Sequence, residues 1–99
     1  MPHKVIQFPQ AIRDQDDIWL TIATDNETAA NRMLDRINDI VALLSNHPEA
    51  GRLRDEIRPG LRYIPVESYL IFYSVAENIV RIHRVLHGAR RILPDLFND

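Results

Sequence analysis

The chain has no cysteine. That absence removes disulfides, cysteine-ligated zinc and thiol nucleophiles from consideration. Nor is there any apolar run near the ~18 residues at which a membrane-spanning helix becomes a candidate. Too few residues lie between Lys4 and Pro9 for a secretory h-region, so the expected location is the cytoplasm, without a membrane partner. Repeats, linkers and low-complexity tracts are missing as well. Residues 1–99 are therefore expected to form a single domain, long enough for a core of its own.

What is present is an ordinary globular balance of 45% hydrophobic and 26% charged residues, too apolar for a disordered chain. The net charge of −2 is unevenly spread. Residues 1–50 carry four cations (Lys4, Arg13, Arg32, Arg36) against eight acids, and residues 51–99 carry eight cations against six. All eight of those later cations are arginine, the side chain that pairs bidentately with phosphate and carboxylate. Such a basic cluster suits an anionic surface: nucleic acid, a nucleoprotein or an acidic protein.

Hydrophobic periodicity divides the chain. Lys4-Val5-Ile6-Gln7-Phe8 has strand composition and stops at Pro9. From Gln10 to about Thr24, Ala11, Ile18 and Ile22 mark one helical stripe with Ile12, Trp19 and Ala23 beside it, while Arg13 through Asp17 read as the polar face. Asp25-Asn26 offers a turn and a cap. A second helix is predicted from Glu27 to Asn46, with apolar residues at spacings of three and four from Ala30 to Leu44, and Pro48 ends it. So short a turn makes the two helices an antiparallel hairpin. An arginine-rich connector, Arg52 to Pro59, leads to three strand candidates: Leu61–Val66, where Pro65 suggests an edge or bulge, Tyr69–Val75 at the centre, and Ile79–Leu86. Links of hairpin length make these an antiparallel meander. The expectation is an α+β fold: an N-terminal strand and a helical hairpin packed on a three-stranded meander, with a short C-terminal extension containing Ile92, Leu93, Leu96 and Phe97.

Few residue constellations carry chemistry. His83 and His87, four apart on a strand, stand roughly 13 Å from each other at about 3.3 Å per residue, and no third ligand is near in sequence, so no metal is expected. Either histidine beside an arginine has the makings of a general base, set against the plainer reading of a surface histidine. No triad spacing is present, and no cofactor or catalytic residue is assigned. Asp14, Asp16 and Asp17 read as a solvated helix face. Tyr63, Tyr69 and Tyr73 suit either a stacking platform or, preferred, the margin of the core. The basic set Arg62, Arg81, His83, Arg84, His87, Arg90 and Arg91 is the candidate target-binding surface. Within it Arg84 falls in line with Val80, Ile82 and Leu86, so it reads as a core-facing arginine with a task or with an internal partner such as Glu67 or Asp95.

Several stretches together resemble a known family: Pro9-Gln10-Ala11, Asp17-Ile18-Trp19, Leu43-Leu44 through His47-Pro48 to Gly51, Arg58-Pro59-Gly60-Leu61-Arg62, Tyr69-Leu70-Ile71-Phe72-Tyr73, and Ile82-His83-Arg84-Val85-Leu86-His87-Gly88-Ala89-Arg90. In this order and length they resemble the ParE branch of the ParE/RelE superfamily, the toxic halves of bacterial type II toxin–antitoxin modules. The resemblance implies a helical hairpin on an antiparallel sheet. It also implies growth arrest by binding DNA gyrase with no catalysis of the toxin's own, and a cognate ParD-like antitoxin. That antitoxin's disordered segment would fold onto the hairpin or a sheet edge to give a hetero-oligomer. RelE-like members instead act as ribosome-dependent mRNA endoribonucleases, using sheet-borne basic residues, an arginine on the central strand and a C-terminal tyrosine. Here Leu70 follows Tyr69 on the central strand, the tail offers Leu96 or Phe97, and Arg90 is the plain match to that set.

Overall fold

Pro9 separates two kinds of backbone. The computed structural model describes residues 2–97. In it strand β1 (Lys4–Gln7) is parted by Phe8 alone from helix α1 (Pro9–Ala23). Proline suits the first helical position because its missing N–H would have no helical acceptor there and its φ is already helical. Helix α2 (Glu27–Asn46) begins at Asn26, whose side chain accepts the Ala29 N–H at 3.0 Å. Glu27 adds negative charge at the positive end of the helix dipole. The helix stops just before His47-Pro48, where proline disfavours helical backbone. Both helices match their sequence-predicted spans to within a residue. The hairpin is tied by Trp19, whose indole N–H donates to Asn31 Oδ1 at 2.8 Å.

The remaining strands are β2 (Arg52–Leu53), β3 (Arg62–Val66), β4 (Tyr69–Ala76) and β5 (Ile79–His87). The predicted meander β3-β4-β5 is present, but it is the middle of a five-stranded mixed sheet in the order β1-β5-β4-β3-β2. Strand β1 runs parallel to β5, and β2 pairs antiparallel with Arg62 and Tyr63 of β3. Two residues of Arg-Leu inside a charged stretch carry no alternation, which is why β2 reads as connector in the sequence. Pro65 lies beyond the short reach of β2, on the open side of β3, where its missing N–H breaks no ladder. In the β4–β5 hairpin Glu77 and Asn78 both take positive φ, 55° and 62°. That is the pattern of a type I′ turn, whose twist matches the strands it joins.

The sheet is packed on both faces. Towards the helices, Ile71, Tyr73, Val80, Ile82 and Val85 meet Ala11, Ile18, Met33, Ile37 and Leu44. On the outer face, Leu61, Phe72 and Leu86 form a second cluster closed by Phe97, with Ile57, Leu70, Ile92 and Leu96 around it. Phe97 belongs to a single 3-10 turn, Pro94–Phe97, and its ring lies 5.1 Å from that of Phe72. The apolar tail thus finds its cover on the face of the sheet opposite the helices.

A bulge in β5 changes the strand's alternation. Phe72 pairs with Arg84 and Tyr73 with Ile82, which leaves His83 as the extra residue. Val80 and Ile82 face the helices, but beyond the bulge it is Val85 that does so, while Leu86 joins the outer cluster. Strict alternation puts Val80, Ile82, Arg84 and Leu86 on one face. The inserted residue is why the molecule does not.

Candidate functional site

Arg84, which the sequence reads as core-facing, is the buried arginine of the cluster. It is 8% exposed. Its Nε donates to Asp14 Oδ2 at 2.7 Å and its Nη2 to Asp14 Oδ1 at 2.9 Å, a bidentate pair between β5 and α1. Asp14 Oδ2 also accepts the Val85 N–H at 3.0 Å, and Arg84 Nη1 donates to the Leu96 carbonyl at 3.0 Å. One guanidinium therefore joins helix, sheet and tail. This corrects two expectations. Asp14, 7% exposed, belongs to the inner face of α1 and not to its solvated side. Arg84 is paired internally with Asp14, while Glu67 faces Arg36 across 3.7 Å at the surface. The signal was readable: Ala11, Asp14 and Ile18 lie at i, i+3 and i+7, so Asp14 shares the apolar stripe.

The other basic residues separate into distinct places. Arg62 is half-buried on β3, donating from Nη1 to the Gly51 carbonyl at 2.7 Å, where it steadies the approach to β2. Arg81 lies opposite Ser74 and reaches the Ala76 carbonyl at 3.3 Å. His83 is buried, 5% exposed, with Nε2 2.7 Å from Ser74 Oγ and its ring edge-on to Phe8 at 4.9 Å. His87, Arg90 and Arg91 are exposed where β5 ends. The His87 ring stands edge-on to Tyr69 at 5.2 Å, and its Nδ1 accepts the Ala89 N–H at 3.0 Å. His87 and Arg90 border a recess of about 190 Å³ against α1, shared with Asp17, Thr21 and Tyr69.

The fold thus brings together His87 and Arg90 with Arg91 close in sequence, and it does not gather all seven residues into one patch. Arg81 precedes His87 by six residues along β5, about 20 Å at 3.3 Å per residue. Among the tyrosines, Tyr69 and Tyr73 pack on the helix side and Tyr63 on the outer side, so they form no common platform. Tyr73 is fully buried, its hydroxyl donating to the Pro48 carbonyl at 2.8 Å and accepting the Gly51 N–H at 2.7 Å. Burial pushes its pKa above the ordinary tyrosine value. No group of three potential metal ligands occurs among the described residues.

A second surface lies on the hairpin. Leu20 is 60% exposed, and with Trp19, Leu34 and Asp16 it lines a shallow groove of about 480 Å³. Ile12 and Leu43 add further exposed apolar area along the two helices. Exposed large apolar residues grouped beside a groove are the usual mark of a protein-binding surface. No described helix is long and apolar enough to cross a membrane.

Comparison with known proteins matches residues 5–92 to the family described as ParE toxin of type II toxin-antitoxin system, parDE. The chain is 30% identical to Toxin ParE3 of Caulobacter vibrioides over 94 residues, covering 94% of each protein. It is 35% identical to Toxin RelE2 of the same organism over 87 residues, covering 88% of this chain and 97% of the relative. Its fold matches a chain in the structure titled "Chromosomal ParDE TA system from P. aeruginosa", with a TM-score of 0.74 and 19% identity, covering 86% of this chain and 95% of that one.

Proposed function

The chain belongs to the ParE toxin family of type II toxin–antitoxin systems, and from that premise we propose that it arrests growth by binding DNA gyrase and catalyses nothing itself. Its target contact is the exposed set His87, Arg90 and Arg91 at the end of β5. Arg81 contributes from farther along the strand. Arg62, His83 and Arg84 are structural in this reading, since each is bonded into the fold.

The observation that supports the choice of target is the apolar packing of the tail over the centre of the sheet's outer face. Sheet-borne cleavage of mRNA needs basic and acid–base groups aimed at a nucleotide from that face. Here the position after Tyr69 on the central strand is Leu70, which packs with Leu96 and Ile92, and Phe97 fills the centre. A gripping surface, in contrast, asks only for exposed charge, and arginines at a strand end provide it. The second reading, a ribosome-dependent mRNA endoribonuclease, is favoured by the likeness to Toxin RelE2 and by Arg90.

The partner is an antitoxin whose amphipathic segment folds into the Trp19–Leu20–Leu34 groove. That site is distinct from the arginine end of β5, so the two contacts separate by mutation. Induced in cells without antitoxin, the wild-type chain should stop growth with gyrase–DNA breaks accumulating. Arg90→Ala should lower toxicity at least tenfold while antitoxin capture is unchanged. Cuts mapped within translated messages, with gyrase unaffected, would establish the endoribonuclease reading instead.

A further inference from the structure

The groove between the two helices is lined by three apolar residues, Trp19, Leu20 and Leu34, and one acid, Asp16. We propose that the antitoxin segment seated there is basic, an inference that rests on the groove being the antitoxin's site. The segment is an amphipathic helix that lays aliphatic side chains on Trp19, Leu20 and Leu34 and flanks them with lysine or arginine.

Helix geometry lays out the charge. On α1, Ile12, Asp16 and Leu20 follow at i, i+4 and i+8, one row along the helix surface. Ile12 and Leu20 are exposed apolar residues, and the carboxylate of Asp16 stands between them. On α2, Asp35 directly follows the groove residue Leu34, and Asp39 comes one turn later on the same exposed face. Among the described residues Asp16, Asp35 and Asp39 enter no ion pair.

The cations of the hairpin are engaged elsewhere. Arg13 donates to Gln10 Oε1 at 2.8 Å, and Arg36 faces Glu67 in the turn between β3 and β4. Arg32 lies four residues before Arg36, on that same side of α2. Asn31, which accepts the Trp19 indole N–H, lies instead on the side that meets α1. Residues 9–46 carry six exposed acids against three arginines, so the hairpin presents a net negative surface.

These charges decide the sign of the partner. An acidic segment would set carboxylates against Asp16 and Asp35, and like charges brought together at an interface are costly. A basic segment gains attraction on both walls of the groove. Arg90 and Arg91 at the end of β5 repel it, which helps to keep it on the hairpin. From Ile12 to Leu20 the row is about 12 Å long at about 1.5 Å per residue, a length that two turns of a partner helix cover.

The test uses the purified full chain and two synthetic peptides of about 15 residues, long enough to become helical on contact. Both carry the same leucine stripe and no tryptophan; lysine flanks it in one and glutamate in the other. Trp19 is the one tryptophan of the chain, so its emission reports occupation of the groove. In low salt the lysine peptide should shift that emission saturably and bind about tenfold tighter than the glutamate peptide, or more. In about 0.5 M sodium chloride the gap should narrow to about twofold. Asp16→Lys combined with Asp35→Lys, two exposed changes, should reverse the preference, with urea unfolding confirming that the variant folds. Leu20→Ala should weaken both peptides severalfold, which ties the signal to the groove. A glutamate peptide that binds as tightly as the lysine peptide, or a preference that the double variant leaves unchanged, overturns the basic partner while the groove reading stands. No saturable shift from either peptide, or shifts that Leu20→Ala leaves untouched, overturn the groove reading with it.

Discussion

At Asp14 and Arg84 two opposite charges, each less than a tenth exposed, neutralise each other between α1 and β5. Their worth is not the sum of the bonds drawn. Taking both charges from water costs several kcal/mol each, so the pair is near break-even until one partner is removed. Asp14→Asn takes the bidentate carboxylate away from a buried guanidinium and should lower unfolding free energy by about 3–5 kcal/mol in a urea titration. Replacing both residues, Asp14→Leu with Arg84→Met, should recover most of that loss. Arg84→Ala should likewise reduce toxicity by reducing the folded population, and thus weaken antitoxin capture too, unlike Arg90→Ala. Tyr73 gives a pH test. Its folded pKa is raised, so its contribution is fully present below the unfolded value of about 10 and is lost as pH rises through the folded one. Wild-type stability should therefore fall above about pH 10, and the fall should be shallower in Tyr73→Phe. The variant itself should be less stable by about 1–3 kcal/mol at neutral pH, because the buried Gly51 N–H and Pro48 carbonyl lose their partner.

Between elements, close approach decides what is tolerated. A Cβ on Gly51 would lie 2.5 Å from Tyr73 Oη and 2.8 Å from the Tyr63 carbonyl oxygen, and the latter is backbone of the neighbouring strand. Gly51→Ala should therefore displace β2 from β3, seen as lost amide protection at Arg52 and Leu53 and a lowered melting temperature. The helices were legible because they bury one stripe each, and caps and prolines mark their ends. Strands β3 to β5 were legible from apolar runs and hairpin-length links. What escaped was whatever local pattern does not encode. The bulge at His83 shifts the faces of β5 with no marker in the residues themselves. The pairing of β2 depends on Arg62 and Tyr63, beyond an intervening loop. The arginine cluster read as one surface because the sequence shows charge and not burial. Asp14, the partner that moves Arg84 inside, is seventy residues distant.

At the scale of the molecule, the sheet has apolar packing on both faces, and the proposed contacts fall on two exposed surfaces of the described residues: the arginine end of β5 and the groove of the hairpin. Leu20→Glu places a charge in the exposed groove without touching the core, so stability should change by less than about 0.5 kcal/mol, while affinity for the antitoxin should fall at least tenfold. The most direct measurement of the central claim is a supercoiling and cleavage assay with DNA gyrase and the purified chain. The expected result is blocked supercoiling with trapped gyrase–DNA breaks, relieved by antitoxin and much reduced in Arg90→Ala. Undisturbed supercoiling by a folded chain that nevertheless cuts ribosome-bound messages would contradict it.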